Sequence, residues 1–182
     1  MDETLTDDAL VSRAKDDIEA FATLYRRHLH RVYSYLLSRV GNVHDAQDLT
    51  TQTFIAALRG MQTYEPRGLF IAWLLGIARY KLSDHFRDNH SIISIDDIAP
   101  LPDGINSVED VIIKQLRIEE ITTILEKLNP ERAEALRLRY FADLKIREVA
   151  DMVGKSEGAV KMLIARGLDD IRQVLNIQEE IS

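Results

Sequence analysis

Cysteine is absent from the 182 residues, which excludes a disulfide scaffold, thiolate metal ligands and a cysteine nucleophile, and predicts an intracellular compartment. Apolar runs are short: none approaches the roughly 20 residues a membrane span needs. The first 20 residues hold seven acids against two bases, the reverse of a secretory signal, so a cytoplasmic protein without membrane insertion is expected. Proline (four) and glycine (eight) are sparse, and there is no repeat or low-complexity tract. Gly-rich phosphate loops, a nucleophile elbow and an HExxH motif are also missing. What remains is an ordinary globular composition, 46% hydrophobic and 29% charged, long enough for one domain or two small ones.

The net charge of −7 taken alone argues against a nucleic-acid binder. Its distribution does not. Residues 21–40 carry four bases and no acid, residues 91–110 carry five acids and no base, and residues 131–150 carry five bases against four acids. Charge is segregated into blocks, and each block needs its own reading.

Apolar residues recur at helical spacing almost throughout, with no convincing strand alternation, so the expected fold is all-α. A short acidic helix near residues 6–15 precedes a long one from about Asp16 to Val40. That helix places Phe21, Leu24, Tyr25, Leu29, Val32, Leu36 and Val40 on one side and Arg26, Arg27 and Arg31 among exposed positions, with Gly41 as its C-cap. The next, from about Val43 to Arg59, buries Ala46, Leu49, Thr50, Thr53, Phe54 and Ala57. A third, from about Leu69 to Asp88, carries Trp73, Leu74, Ile77, Leu82 and Phe86. Periodicity then fails between about Asn89 and Ser107, where two prolines, a glycine and three aspartates mark a linker. It resumes at Val108 and runs through Leu116, Ile118, Ile121 and Leu128 to Asn129-Pro130, where asparagine suits an N-cap and proline the first position of a helix reaching about Phe141 with Ala133, Leu136 and Tyr140. The expectation is two small helical bundles joined by a flexible acidic linker.

The stretch LKIREVADMVGKSEGAVKMLIARGLDDI looks like a helix-turn-helix. Such a unit needs a small residue where its helices touch, a glycine where the chain turns left-handed, and apolar residues that seat the second helix. Ala150, Gly154, Val160 and Leu163 supply these, and Ser156 caps the second helix. Glu157, Gly158, Lys161, Met162 and Arg166 then lie where a major groove would be read. A plain helical hairpin at an interaction surface is the alternative.

Together with the N-terminal segments LYRRHLHRVYSYLLSRVGNVHDAQDLTTQTFIAAL and AWLLGIARYKLSDHFR, this unit resembles the extracytoplasmic-function (group 4) sigma factors of bacterial RNA polymerase, in the sigma-70 family. The resemblance implies a non-enzymatic, cofactor-free promoter-specificity subunit, monomeric when free. Its partners would be core RNA polymerase, promoter DNA and an anti-sigma factor. It assigns residues 1–90 to region 2 (polymerase binding, melting and minus-ten recognition), 91–107 to the linker and 108–182 to region 4 (minus-thirty-five recognition). Implied polymerase contacts are Asp45, Asp48 and Gln52. Implied minus-ten contacts are Tyr64, Arg67, Trp73, Arg79, Tyr80, Asp84 and Arg87, and implied minus-thirty-five contacts are Ser156, Glu157, Gly158, Lys161, Met162 and Arg166.

The sequence departs from the family pattern at several of these places. An acidic residue is usual at position 47 and Gln-Glu at 51–52, where this chain has Gln47, Thr51 and Gln52; polymerase binding is therefore expected to lean on Asp45, Asp48 and apolar neighbours. Gly76 and Tyr80 replace the usual arginine and asparagine, and Met162-Leu163 the usual Ser-Arg, so promoter preference does not transfer. Tyr64, in its loop, is expected to stack on an unpaired base, and Trp73 to serve either as core or as a base contact. The linker acids Asp96, Asp97 and Asp103 would either occupy the polymerase channel or serve as a solvated spacer.

Two other functions compete with this one. A metal hydrolase could be built from Asp84, His85, Asp88 and His90 with His28, His30 and His44, but His85 lies about 100° round the helix from Asp84 and no three-ligand set follows; surface histidines and helix-end carboxylates account for the pattern. A free-standing helix-turn-helix transcriptional regulator would bind duplex operator DNA without polymerase.

Overall fold

Thr6 opens the first helix by accepting the Ala9 amide on its hydroxyl, at 3.3 Å, and in the computed structural model, which describes residues 4–66, 68–89 and 108–181, every regular element that follows is helical. Arg67 and the expected linker at 91–107, with Asp96, Asp97 and Asp103, lie outside the described residues. Contacts divide the chain into two compact units, Met1–Leu36 with His44–Asp103, and Leu37–Val43 with Gly104–Ser182.

The first unit is built from α1 (Asp7–Arg13), α2 (Ile18–Val40) as far as Leu36, α3 (Val43–Gly60) from His44, and α4 (Phe70–Asn89). Asp17 starts α2 by accepting the Glu19 amide at 3.0 Å, one to two residues later than the sequence suggests. Gly41 ends it in the left-handed region (φ +73°), with its amide on Leu37 O. Leu10, Leu24, Val32, Tyr35, Leu49, Leu74, Leu75 and Ala78 form the core. The six α3 residues expected to be buried are the buried set. Thr50 and Thr53 enter that core without an orphaned hydroxyl, because each donates back to a carbonyl one turn earlier, Ala46 O and Leu49 O.

The second unit holds α5 (Val108–Lys127), α6 (Pro130–Leu136), α7 (Ile146–Val153) and α8 (Glu157–Ile181). Asn129 caps α6 with its side-chain oxygen on the Glu131 and Arg132 amides. The helix expected to continue to Phe141 instead widens into a π-helical turn, Arg137–Phe141. The Ala142 amide reaches Arg137 O at 3.0 Å, and Asp143 takes a left-handed φ of +52°. Gly154 (φ +68°) ends α7, and the Lys155 amide closes back on Ala150 O. The chain thereby turns sharply into α8.

Several placements correct the sequence reading. Leu163, expected in the core, is half-buried; Val160 and Ile164 are the buried seats of α8. Tyr25, Phe86, Leu116, Ile121 and Tyr140 sit on apolar stripes yet are exposed, because the stripe is wider than the neighbouring helix covers. Arg27 and Arg31 are half-buried. His28 is not a surface histidine: it is buried between α1 and α4, with Nε2 2.6 Å from Asp7 Oδ2 and its ring 5.5 Å from that of Phe70.

Candidate functional site

Three surfaces carry the candidate residues. On the second unit, Ser156 Oγ accepts the Ala159 amide at 3.1 Å, fixing the start of α8. The side of α8 that holds Val160, Ile164 and Gly167 is packed, whereas Ser156, Glu157, Gly158, Lys161, Met162 and Arg166 are all exposed. Gly158, Met162 and Arg166 thus share the solvent side of one capped helix, Lys161 flanks it, and Ser156 and Glu157 are exposed at its start. α7 is set beneath it by Ala150, buried as expected, and is itself started by Glu148, whose carboxylate accepts the Lys145 amide at 2.8 Å. α6 braces α8 through Arg132, which donates to Asp170 Oδ2 at 2.6 Å.

On the first unit, the segment between α3 and α4 closes over an aromatic cluster. Tyr64 stacks on Trp73 with ring centroids 4.2 Å apart and planes 29° apart, and both meet Phe70. Tyr64, expected to offer its face to a base, is only 9% exposed; one of its faces is already taken by the indole. Burial raises its phenol above the ordinary tyrosine range, so it stays neutral. Trp73 is half-buried and lines, with Tyr64, Thr63, Glu65, Leu69 and Ile77, an open pocket of about 790 Å³. Gly60 lies close against the indole: a Cβ on it would stand 3.3 Å from Trp73 Cζ2, a tight contact.

Along α4 the remaining candidates separate. Tyr80 is 66% exposed, and Arg87, also exposed, pairs with Asp84 at 2.7 Å. Arg79 turns inward and donates from Nε to Tyr35 Oη at 3.3 Å, so it ties α4 to α2. Gly76 is exposed, with no atom within 4 Å of where a Cβ would stand.

On α3, Asp48 and Gln52 are exposed, with Thr51, Ile55 and Leu58 exposed beside them. Asp45 is half-buried, and its carboxylate faces His85 Nε2 of α4 at 3.4 Å and His44 at 3.7 Å. Among the described residues no group of three or more His, Asp or Glu side chains could hold a metal, and His90 lies outside them. His28 and His85 instead serve contacts between helices. No helix among the described residues is long and apolar enough to cross a membrane.

Residues 24–92 match the Sigma-70 region 2 family, and residues 118–171 match the Sigma-70, region 4 family. The ECF RNA polymerase sigma factor SigC of Mycobacterium tuberculosis is 30% identical over 177 residues, covering 92% of this chain and 89% of SigC. The chain belongs to the ECF RNA polymerase sigma factors. Such factors are non-catalytic transcription initiation factors. BldN of Streptomyces coelicolor is 34% identical over 170 residues; 91% of this chain is covered, and the chain spans 64% of BldN. The structure of CnrH in complex with the cytosolic domain of CnrY shares the fold, with a TM-score of 0.68 at 22% identity over 94% of this chain and 97% of CnrH. Within this ECF sigma factor, regions 2 and 4 fall on the two sets of surfaces described above, the α3 and α4 surfaces in region 2 and α8 in region 4.

Three features of these surfaces escape the sequence reading. The Gly60–Trp73 approach, the Arg79–Tyr35 hydrogen bond and the Asp45–His85 pair each join residues from different helices, and only the glycine leaves a trace in the sequence.

Proposed function

We propose that this ECF sigma factor works as a dissociable promoter-specificity subunit without enzymatic activity of its own, in the cytoplasm, dividing its tasks among the three surfaces. Core polymerase is bound through the exposed strip of α3, where Asp48 and Gln52 border Ile55 and Leu58; acid beside apolar surface suits a basic helical partner. Unpaired minus-ten bases are held around the Tyr64–Trp73 pocket and on Tyr80, each stacked base contributing about 1–3 kcal/mol. Duplex minus-thirty-five DNA is read by α8 in the major groove, with Ser156 and the first-turn amides near phosphate. An anti-sigma partner masks one or both units; CnrH was solved in complex with the cytosolic domain of CnrY. The acidic segment between the units is assigned to the polymerase channel.

One observation carries the reading of region 4. Gly158, Met162 and Arg166 are exposed on the side of α8 opposite Val160 and Ile164, with Lys161 at the edge of that side and Ser156 and Glu157 exposed at the cap, which is the arrangement a groove-entering helix requires. For region 2 the sharpest test is Asp48→Arg. Asp48 is exposed, whereas Asp45 is half-buried and faces His85 of α4, so Asp48 is the position that probes the interface with less disturbance of the fold. Asp48→Arg should weaken capture of core polymerase by about tenfold or more while leaving helicity unchanged. Capture at wild-type strength would move the interface off α3.

A further inference from the structure

At the centre of the exposed side of α8 stands a side chain that can neither donate nor strongly accept a hydrogen bond. Residues on a helix turn by about 100° each. Counted from Met162, the packed residues Val160 and Ile164 lie about 160° away in either direction. Gly158, Ala159, Ala165 and Arg166 fall within about 60° of it. Met162 therefore points away from the packed side, and it is 52% exposed. Its neighbours on that face are small, apart from Arg166. Gly158 has no side chain, and a Cβ there would meet nothing nearer than Ser156 Oγ at 4.0 Å. The thioether thus projects beyond its surroundings, with room for another surface to approach on one flank.

Base edges in the major groove are almost all hydrogen-bonding groups; the one apolar feature is the C5-methyl of thymine. An apolar, pliable side chain at the middle of the reading face matches that feature and no other. Lys161 and Arg166, the long donors near the same face, match guanine O6 and N7. We propose that Met162 is a specificity-determining residue that reads the C5-methyl of one thymine in the upstream promoter element, flanked by base pairs within reach of Lys161 and Arg166. This rests on the proposed entry of α8 into the major groove and adds the base class to it.

The test uses the full chain assembled with core polymerase. Duplexes randomised in the upstream element are selected for binding, and in the selected sequence each thymine is replaced in turn by deoxyuridine, which removes only the methyl group. At one position the wild-type holoenzyme should lose about fourfold in affinity, the worth of one buried methyl-sized group. Met162→Ala should bind thymine and deoxyuridine there equally, and Met162→Leu, which keeps an apolar side chain, should retain the discrimination. If no position responds to deoxyuridine, or if Met162→Ala still discriminates, Met162 is not the reader. If selection yields no upstream preference at all, the placement of α8 in the groove fails first, and this inference fails with it.

Discussion

Gly167 of α8 lies so close to Leu136 of α6 that a Cβ on the glycine would stand 2.8 Å from Leu136 Cδ1 and 3.2 Å from its Cγ. Leu136 is itself buried. The glycine therefore sets how near α8 comes to α6, and the Arg132–Asp170 pair at 2.6 Å clasps the same two helices.

Gly167→Ala should destabilise the second unit. Overpacking costs about 1–3 kcal/mol, against a gain of about 1 kcal/mol in helix propensity. Because the added atom would stand 2.8 Å from the side chain of Leu136, which is buried, the packing penalty dominates. Urea unfolding followed by far-ultraviolet circular dichroism should show a lower midpoint. A midpoint at or above the wild-type value would mean that α6 and α8 have slack between them.

Stability of the first unit should fall on mild acidification through His28. Burial holds the imidazole below its ordinary value of 6.5, outweighing the opposing pull of Asp7. The unfolded chain takes up a proton below about pH 6.5 that the folded chain resists, so the contribution is complete above that value and is lost as pH falls through the lowered folded value. Trp73, the single tryptophan, reports this unit. Its urea midpoint should drop from about pH 7 to about pH 5, and His28→Gln, which still donates toward Asp7, should flatten that drop. An unchanged slope in His28→Gln would assign the acid sensitivity elsewhere.

Gly76 offers the opposite case to Gly167. It sits inside α4 and exposed, its φ is not among the positive ones, and nothing lies within 4 Å of an added Cβ. Gly76→Ala should raise the stability of the first unit by about 1 kcal/mol, read as a higher urea midpoint of Trp73 fluorescence. A lower midpoint would reveal packing on that face of α4.

What could be read from the sequence was what local chemistry decides. The buried set of α3 follows from periodicity because one side of that helix is covered along its length. The stops at Gly41 and Gly154 and the caps at Asn129 and Ser156 follow because each involves residues only a few positions apart. The exposed residues of α8 were legible for the same reason. Contacts between distant segments were not. Asp7 meets His28 across 21 residues, and Arg79 meets Tyr35 across 44. The choice of Ile164 over Leu163 as a seat for α8 depends on where the neighbouring helices lie. The π-helical turn after Leu136 has no local signal of that kind; nor does the covering of Tyr64 by Trp73, which moves the offered aromatic surface from the tyrosine to the pocket edge and to Tyr80.

The central claim, that this chain confers promoter-specific initiation on polymerase, is tested most directly by run-off transcription. Core RNA polymerase is incubated with fragmented genomic DNA from the source bacterium, with and without the purified chain, and transcript starts are mapped. Discrete starts that appear only with the chain, share an upstream element and disappear with Asp48→Arg are the predicted result. A chain that binds duplex DNA with high preference but adds no transcript starts to core polymerase would contradict the account and favour a free-standing helix-turn-helix regulator.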